Sequence, residues 1–249
     1  MEAILRKLGL LTYLRCWRKT GKPFPRADRE QFFRDIKNRG LDAQFIIDVG
    51  ANMGRWSREA LQSFPHARCM LLEPQREMKN PLDELCAEYP NAEWMMAGVA
   101  SRDGKMDLAV IPENEGCSSS FLIPESKRQK LNLESRSLPV YSLDSICKNA
   151  GQIPELVKLD AEGMEMQIMK GAQSLLGTTE VFLLEVSLFN PWPGGANFVE
   201  IIHAMDEFGY VPYDFTEFVF RPKDGALGLV EIAFSKKQGV LRNYLGWNR

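Results

Sequence analysis

Between residues 45 and 234 short, continuous apolar runs alternate with segments of helical character, and that alternation restricts the chain to one broad class of fold. The runs are 45–49 (FIIDV), 69–72 (CMLL), 94–99 (WMMAGV), 156–159 (LVKL), 181–186 (VFLLEV), 209–213 (GYVPY) and 229–234 (LVEIAF). Residues 55–64, 76–88, 164–176 and 197–208 carry helical periodicity or good helix formers. Strands that are apolar throughout, rather than at every second residue, are buried on both faces, which predicts a mostly parallel sheet covered by helices on each side. The last two runs are separated only by DFTEFVFRPKDGALG, with an Asp224-Gly225 turn signal, and should pair as an antiparallel hairpin. Residues 100–153 break the alternation and read as short extended pieces inserted near the ligand edge of the sheet.

The flanking sequence differs in charge. Residues 1–40 hold eleven Lys/Arg against four Asp/Glu, whereas the remainder holds 20 against 29. The chain divides accordingly into a basic N-terminal helical arm (1–40) and one large domain (41–249). Ile4, Leu8, Leu11 and Leu14 recur at helical spacing within the arm, which fits packing on the main domain or peripheral membrane contact through residues 1–20. Arg6 and Lys7 interrupt its apolar stretch and no small-residue cleavage site follows, so it reads as part of the mature protein. No apolar run approaches the ~20 residues of a membrane-spanning helix. An acidic main domain makes a nucleic-acid partner a poor fit, because phosphate neutralisation needs clustered Lys/Arg. Five scattered cysteines without a CxxC pair suggest neither a disulfide framework nor a zinc site, and a reducing, cytoplasmic setting is expected. Oligomeric state is not legible.

In an open parallel sheet, ligands sit beyond the carboxyl ends of the strands. There the first run ends in Asp48-Val49-Gly50-Ala51-Asn52-Met53-Gly54. This turn lacks the GxGxxG spacing that cradles a pyrophosphate, which argues against a nucleotide-dependent oxidoreductase. A carboxylate before the turn suits instead a ligand with a cationic amino group and an uncharged sugar, such as S-adenosylmethionine. Glu73, followed by Pro74, ends the next run and can accept both hydrogen bonds of a ribose diol. The expected cofactor-binding set is Asp48, Gly50, Ala51, Asn52, Gly54, Glu73, Pro74 and Asp160.

FIIDVGANMGRWS, LLEP, LPVYSLDSI, VKLDAEGMEMQIMKGA and FLLEVS, in this order, resemble the FkbM family of S-adenosylmethionine-dependent methyltransferases over residues 43–235. The glycine turn is shared by many methyltransferases, whereas KLDAEGMEMQIMKGA is much more specific to that family. The resemblance implies the class I methyltransferase fold, a Rossmann-like seven-stranded sheet, and methyl transfer to a hydroxyl of a sugar, glycan or secondary metabolite. Residues 1–40 inherit nothing from it.

A hydroxyl acceptor must be aligned with the methyl group and must lose a proton. His66 and His203 lie in a loop before the second run and in the helix 197–208, away from the ligand edge. Asp160 ends the fourth run and Glu162 opens the next helix, so these two are the candidates for the base or acceptor-orienting group; Glu185 lies nearby. Several acids along one edge could hold Mg2+, but their spacing matches no metal motif and no metal is predicted. Asn114, Ser118–Ser120 and Trp192 are candidates for acceptor contacts. A non-catalytic ligand-binding protein on the same sheet is the competing reading.

Overall fold

The structure is a computed structural model and describes residues 27–111, 119–189 and 192–243. The expected arm helix within residues 1–22, Asn114 and Ser118 lie outside the described residues. In chain order the strands are β1 (Phe45–Val49), β2 (Arg68–Leu72), β3 (Ala92–Met95), β4 (Gly98–Val99), β5 (Gly104–Val110), β6 (Glu134–Tyr141), β7 (Leu156–Leu159), β8 (Val181–Ser187), β9 (Tyr210–Phe220) and β10 (Leu227–Lys236). The α-helices are α1 (Arg29–Asn38), α2 (Arg55–Ser63), α3 (Lys79–Glu88), α4 (Glu125–Lys130), α5 (Leu143–Ala150), α6 (Glu165–Lys170) and α7 (Phe198–Glu207).

Seven strands form one sheet in the order β3-β2-β1-β7-β8-β10-β9. β1, β2, β3, β7 and β8 are mutually parallel, and β10 runs antiparallel to both β8 and β9. This is the class I methyltransferase fold, with the C-terminal antiparallel pair that the Asp224-Gly225 turn predicts. The strand order reverses between β1 and β7, so the loops after these two strands open onto a common crevice.

Both faces are covered, as the continuous apolar runs require. On one side Ile47, Val49, Leu159 and Leu184 pack with Met164, Ile168, Met205 and Tyr210. On the other, Ile46, Leu71 and Leu183 pack with Phe33, Trp56, Leu61 and Leu82. Helix α1 falls within the segment that its charge sets apart as an arm, yet Phe32, Phe33 and Ile36 are fully buried in this second core. The Phe33 ring meets Trp56 edge-on at 5.4 Å. Asp28 caps the helix by accepting from the Gln31 amide at 3.0 Å.

The expected strand 94–99 is two elements. β3 stops at Met95, and Gly98–Val99 turns away to pair with β6 in a separate sheet of order β4-β6-β5. The cause is a tertiary contact: a Cβ at Gly98 would stand 2.6 Å from Cζ of Phe121, so glycine lets that ring lie on the backbone. The segment expected as extended pieces also holds α5, started by Ser142, whose hydroxyl accepts from the Ser145 amide, and closed by Gly151 at φ 70°. Among the described residues no helix is long and apolar enough to cross a membrane.

Candidate functional site

The turn after β1 is shaped by three residues with left-handed backbone, Gly50 (φ 74°), Asn52 (φ 47°) and Gly54 (φ 73°). Gly50 is indispensable for a backbone reason: a Cβ there would sit 1.8 Å from the carbonyl oxygen of Asp160 on the neighbouring strand. Gly54 opens α2 and lies against α3, where a Cβ would meet Cδ1 of Leu85 at 2.4 Å. The Gly50 and Ala51 amides both donate to the Leu72 carbonyl, tying the turn to the end of β2.

Glu73 follows immediately and is 2% exposed. Its Oε2 accepts from the Asn52 amide and its Oε1 from the Gln75 amide, each at 2.8 Å. The Gln75 side chain also hydrogen-bonds this carboxyl, so three of its four lone pairs are engaged within the protein. Burial pushes this carboxyl up to about 7, and the two amide hydrogen bonds act against that rise.

Past β7 the chain makes the turn Asp160-Ala161-Glu162-Gly163. Glu162 (φ 52°) and Gly163 (φ 94°) both adopt left-handed backbone, a sparsely populated conformation for glutamate. Buried Glu165 holds the turn, its Oε1 accepting from the amides of Ala161 (3.0 Å) and Gly163 (3.3 Å). The Ser120 hydroxyl donates to the Glu162 carbonyl at 2.9 Å. Trp192 covers the turn from the other side: its side chain lies where a Cβ on Gly163 would go, and its indole N–H donates to the Glu162 carboxyl.

These turns enclose a cleft of about 280 Å³. Glu73, Asn52, Asp160, Glu162 and Glu185 are among the polar residues that line it. Ala97, Gly98, Leu108 and Phe121 line it as well. Several of its carboxyl groups interact with one another. Glu162 is pushed up to about 9, mainly by burial and then by the charges of Asp160 and Glu165. Glu185 is raised well above its ordinary range, again by burial first and then by Asp160 and Glu162. Among the described residues no three His, Cys, Asp or Glu side chains are grouped to hold a metal ion.

Of the residues expected from sequence, Gly50, Asn52, Glu73, Pro74, Asp160 and Glu162 line this cleft. Ala51 lines an adjoining cavity, and Gly54 sits among leucines under the turn. Asp48 is fully buried beneath the turn, where Oδ2 accepts from the Ser57 hydroxyl at 2.6 Å and Oδ1 lies 3.6 Å from Lys158 Nζ. Its carboxylate thus orders the floor of the site rather than facing the cleft. His66 and His203 are exposed and lie outside it.

Sequence reasoning left Lys158 without a role. Its ammonium is buried, 3.0 Å from Asp160 Oδ2 and 3.5 Å from the Gly50 carbonyl, and these acids hold it charged against the pull of burial. The signal was present: a lone lysine in a four-residue central strand, LVKL, must be paired to be buried at all. Phe121 and Leu108, which line the cleft, carry no sequence signal, since only the insertion's fold brings them there.

The family model described as "Methyltransferase FkbM domain" matches residues 48–212, about two thirds of the chain. The 2-O-methyltransferase NoeI of Sinorhizobium fredii is 27% identical over 57% of this chain and 63% of its own length. Methyltransferase sdnD of Sordaria araneosa is 24% identical over 51% of this chain and 60% of its own. The chain therefore spans less than two thirds of these relatives. The solved O-methyltransferase TomG of Streptomyces achromogenes superposes over 84% of this chain and 79% of its own, with 11% identity and a TM-score of 0.47.

Proposed function

The chain belongs to the FkbM methyltransferase family, and from that premise we propose that it uses S-adenosylmethionine to methylate a hydroxyl oxygen on a sugar, glycan or secondary metabolite. The observation that carries this reading is the cleft itself, which sets apolar Leu108 and Phe121, the buried Glu73 carboxyl and the raised carboxyls of Glu162 and Glu185 around one space.

Each part suits one part of the methyl donor. Leu108 and Phe121 offer apolar surface to a flat heteroaromatic base. Glu73, buried at the end of β2, keeps acceptor capacity for a hydroxyl of the ribose diol. The acidic residues stabilise a cation and would repel the phosphates of a dinucleotide. Gly50, Asn52 and Pro74 complete the proposed cofactor contacts.

When bound, S-adenosylmethionine supplies an electrophilic methyl group on a positively charged sulfur. The protein's part is to align the acceptor and receive its proton. At neutral pH Glu162 holds its proton, because burial and neighbouring acids disfavour its ionised form, and the same causes raise Glu185. A positive charge entering the cleft reverses that preference, so Glu162 loses its proton and becomes able to accept the hydroxyl proton. Asp160, 3.0 Å from the Lys158 ammonium, is placed to orient the acceptor or the donor's amino group. An oxygen acceptor agrees with the relative NoeI, a 2-O-methyltransferase.

Methyl transfer from labelled S-adenosylmethionine to a panel of hydroxyl, amine and thiol acceptors tests this reading. Transfer to hydroxyls is expected, and Glu162→Gln should slow it about 100- to 10,000-fold, the usual contribution of a general base, while S-adenosylhomocysteine still binds. Transfer to amines alone, or normal turnover by Glu162→Gln, would defeat it.

A further inference from the structure

An apolar surface runs outward from the cleft along the ligand edge of the sheet. β8 is parallel to β7, and β9 is parallel to β8 because each is antiparallel to β10. Their carboxyl ends therefore lie on the same edge as the cleft. Leu188 and Phe189 follow β8, while Phe215, Phe218, Val219 and Phe220 belong to the second half of β9. All six are exposed, Phe189 by 54% and Phe220 by 60%. They form one surface: the Leu188 amide donates to the Gly228 carbonyl at 2.9 Å, the adjacent Leu229 pairs with Val219, and the Phe215 and Phe218 rings stand 5.9 Å apart. β9 is an edge strand, with no neighbour on its outer side among the described residues. Sheets blunt their edges with charges, proline or a cover, whereas this end of β9 exposes three phenylalanines. A contiguous apolar patch of that kind marks a surface that binds something.

Two observations identify the occupant. Val219 belongs to the patch and also lines the cleft, together with Glu162, Glu185 and Glu217. The patch is thus the outward continuation of the space in which an acceptor hydroxyl must meet its base. Charge bounds its other side, where Arg221 lies over the Phe189 ring at 4.2 Å and pairs with Asp224 at 3.1 Å. From Phe215 to Phe220 the strip is about 16 Å long at ~3.3 Å per residue. A short apolar strip with acids at one end and an ion pair at the other suits a single small molecule better than a bilayer or a broad protein face. The molecule that satisfies both regions has a hydroxyl in the acidic cleft and an apolar body on the strip.

Resting on the methyl-transfer reading above, we propose that the acceptor is amphiphilic: its hydroxyl enters the cleft at Glu162, and an apolar chain or ring system attached to the hydroxyl-bearing part lies along Val219, Phe218, Phe220 and Phe189. A simple sugar fills only the first of these places. The strip selects among hydroxyl compounds by the apolar area they bury against it.

Calorimetric titration of the full chain, saturated with S-adenosylhomocysteine, with methyl β-glucoside and with octyl β-glucoside below its micellar concentration tests the assignment. The octyl compound should bind at least about tenfold more tightly, the worth of burying about two methylene groups. Phe218→Ser and Phe220→Ser should each shrink that ratio, and unchanged S-adenosylhomocysteine affinity shows that the variants fold. Transfer from labelled S-adenosylmethionine to matched hydroxyl acceptors, with and without an octyl group, should favour the octyl member by a similar factor in kcat/KM. Equal affinities, a ratio that survives both substitutions, or transfer that favours the member without the tail overturn the proposal and leave the donor reading standing. Sedimentation of a dimer that Phe218→Ser converts to a monomer, with the ratio unchanged, overturns it as well and assigns the strip to a second copy of the chain. If the unaltered protein does not bind S-adenosylhomocysteine at all, the donor reading falls and this proposal falls with it.

Discussion

Replacing Lys158 by methionine removes the buried ammonium under the site, and its cost can be worked from the geometry. Nζ lies 3.0 Å from Asp160 Oδ2 and 3.6 Å from Asp48 Oδ1. At an effective dielectric constant of about 20, each contact is worth about 5 kcal/mol. Desolvation of the ammonium cancels several kcal/mol of that sum, so breaking such a buried cluster nets about 3–5 kcal/mol. Asp48 bears most of the loss: it is fully buried, Ser57 serves one of its oxygens, and the other has no hydrogen bond. With a urea m-value of about 2–3 kcal/mol per molar, Lys158→Met should lower the unfolding midpoint by about 1–2 M. The double variant Asp48→Asn/Lys158→Met should recover part of this, because no uncompensated charge then remains in the core. A single variant that loses under about 1 kcal/mol, or a double variant as unstable as the sum of the two singles, would refute the reasoning.

The two turn glycines should behave differently. Gly50→Ala drives a Cβ into backbone and should cost at least about 2 kcal/mol and abolish S-adenosylhomocysteine binding, whereas Gly54→Ala meets the movable end of Leu85 and should cost about 1 kcal/mol; urea unfolding and calorimetry separate them. Stability should fall with rising pH. Glu73, Glu165 and Glu231 have folded values of about 7, and Glu162 about 9, against an ordinary 4.5, so stability present below 4.5 is lost as pH rises through 7 and then 9. Melting temperatures between pH 5 and 9 that stay level or climb would contradict this. Binding of S-adenosylmethionine at pH 7.5 should release protons and binding of neutral-sulfur S-adenosylhomocysteine fewer, since a unit charge ~6 Å from a carboxyl shifts it by ~2 units at a dielectric constant of ~20. Calorimetry in buffers of different ionisation enthalpy measures the difference, and equal release would refute it.

The sheet was readable because β1, β2, β7 and β8 are mostly apolar on both faces rather than at every second residue, with single charged residues such as Asp48 and Lys158 among them, a pattern that demands cover on both faces. The break between β3 and β4 was not, since WMMAGV contains no polar residue and the cause is the Phe121 ring against Gly98, a contact formed only in the fold. Helix α1 was masked by its charge: Phe32, Phe33 and Ile36 sit at helical spacing, but Arg29, Arg34, Lys37 and Arg39 made the stretch look like part of a basic arm. Within the site, residues at strand ends were legible because the topology brings those ends to one edge. Glu73, Asp160 and Glu162 meet there for that reason. Asp48 lies one residue before the end of its strand and points beneath the turn to Ser57, an orientation the motif alone does not reveal. Trp56 and Arg29 reach the adjoining cavity from α2 and α1, so only packing discloses them.

A crystal structure of the complex with S-adenosylhomocysteine tests the placement of the methyl donor most directly. The expected result has the ribose hydroxyls within hydrogen-bonding distance of the Glu73 carboxylate, the adenine against Leu108 and Phe121, and the sulfur facing Asp160 and Glu162. Density for the ligand elsewhere on the protein, or a cleft that stays empty at saturating ligand, would contradict it.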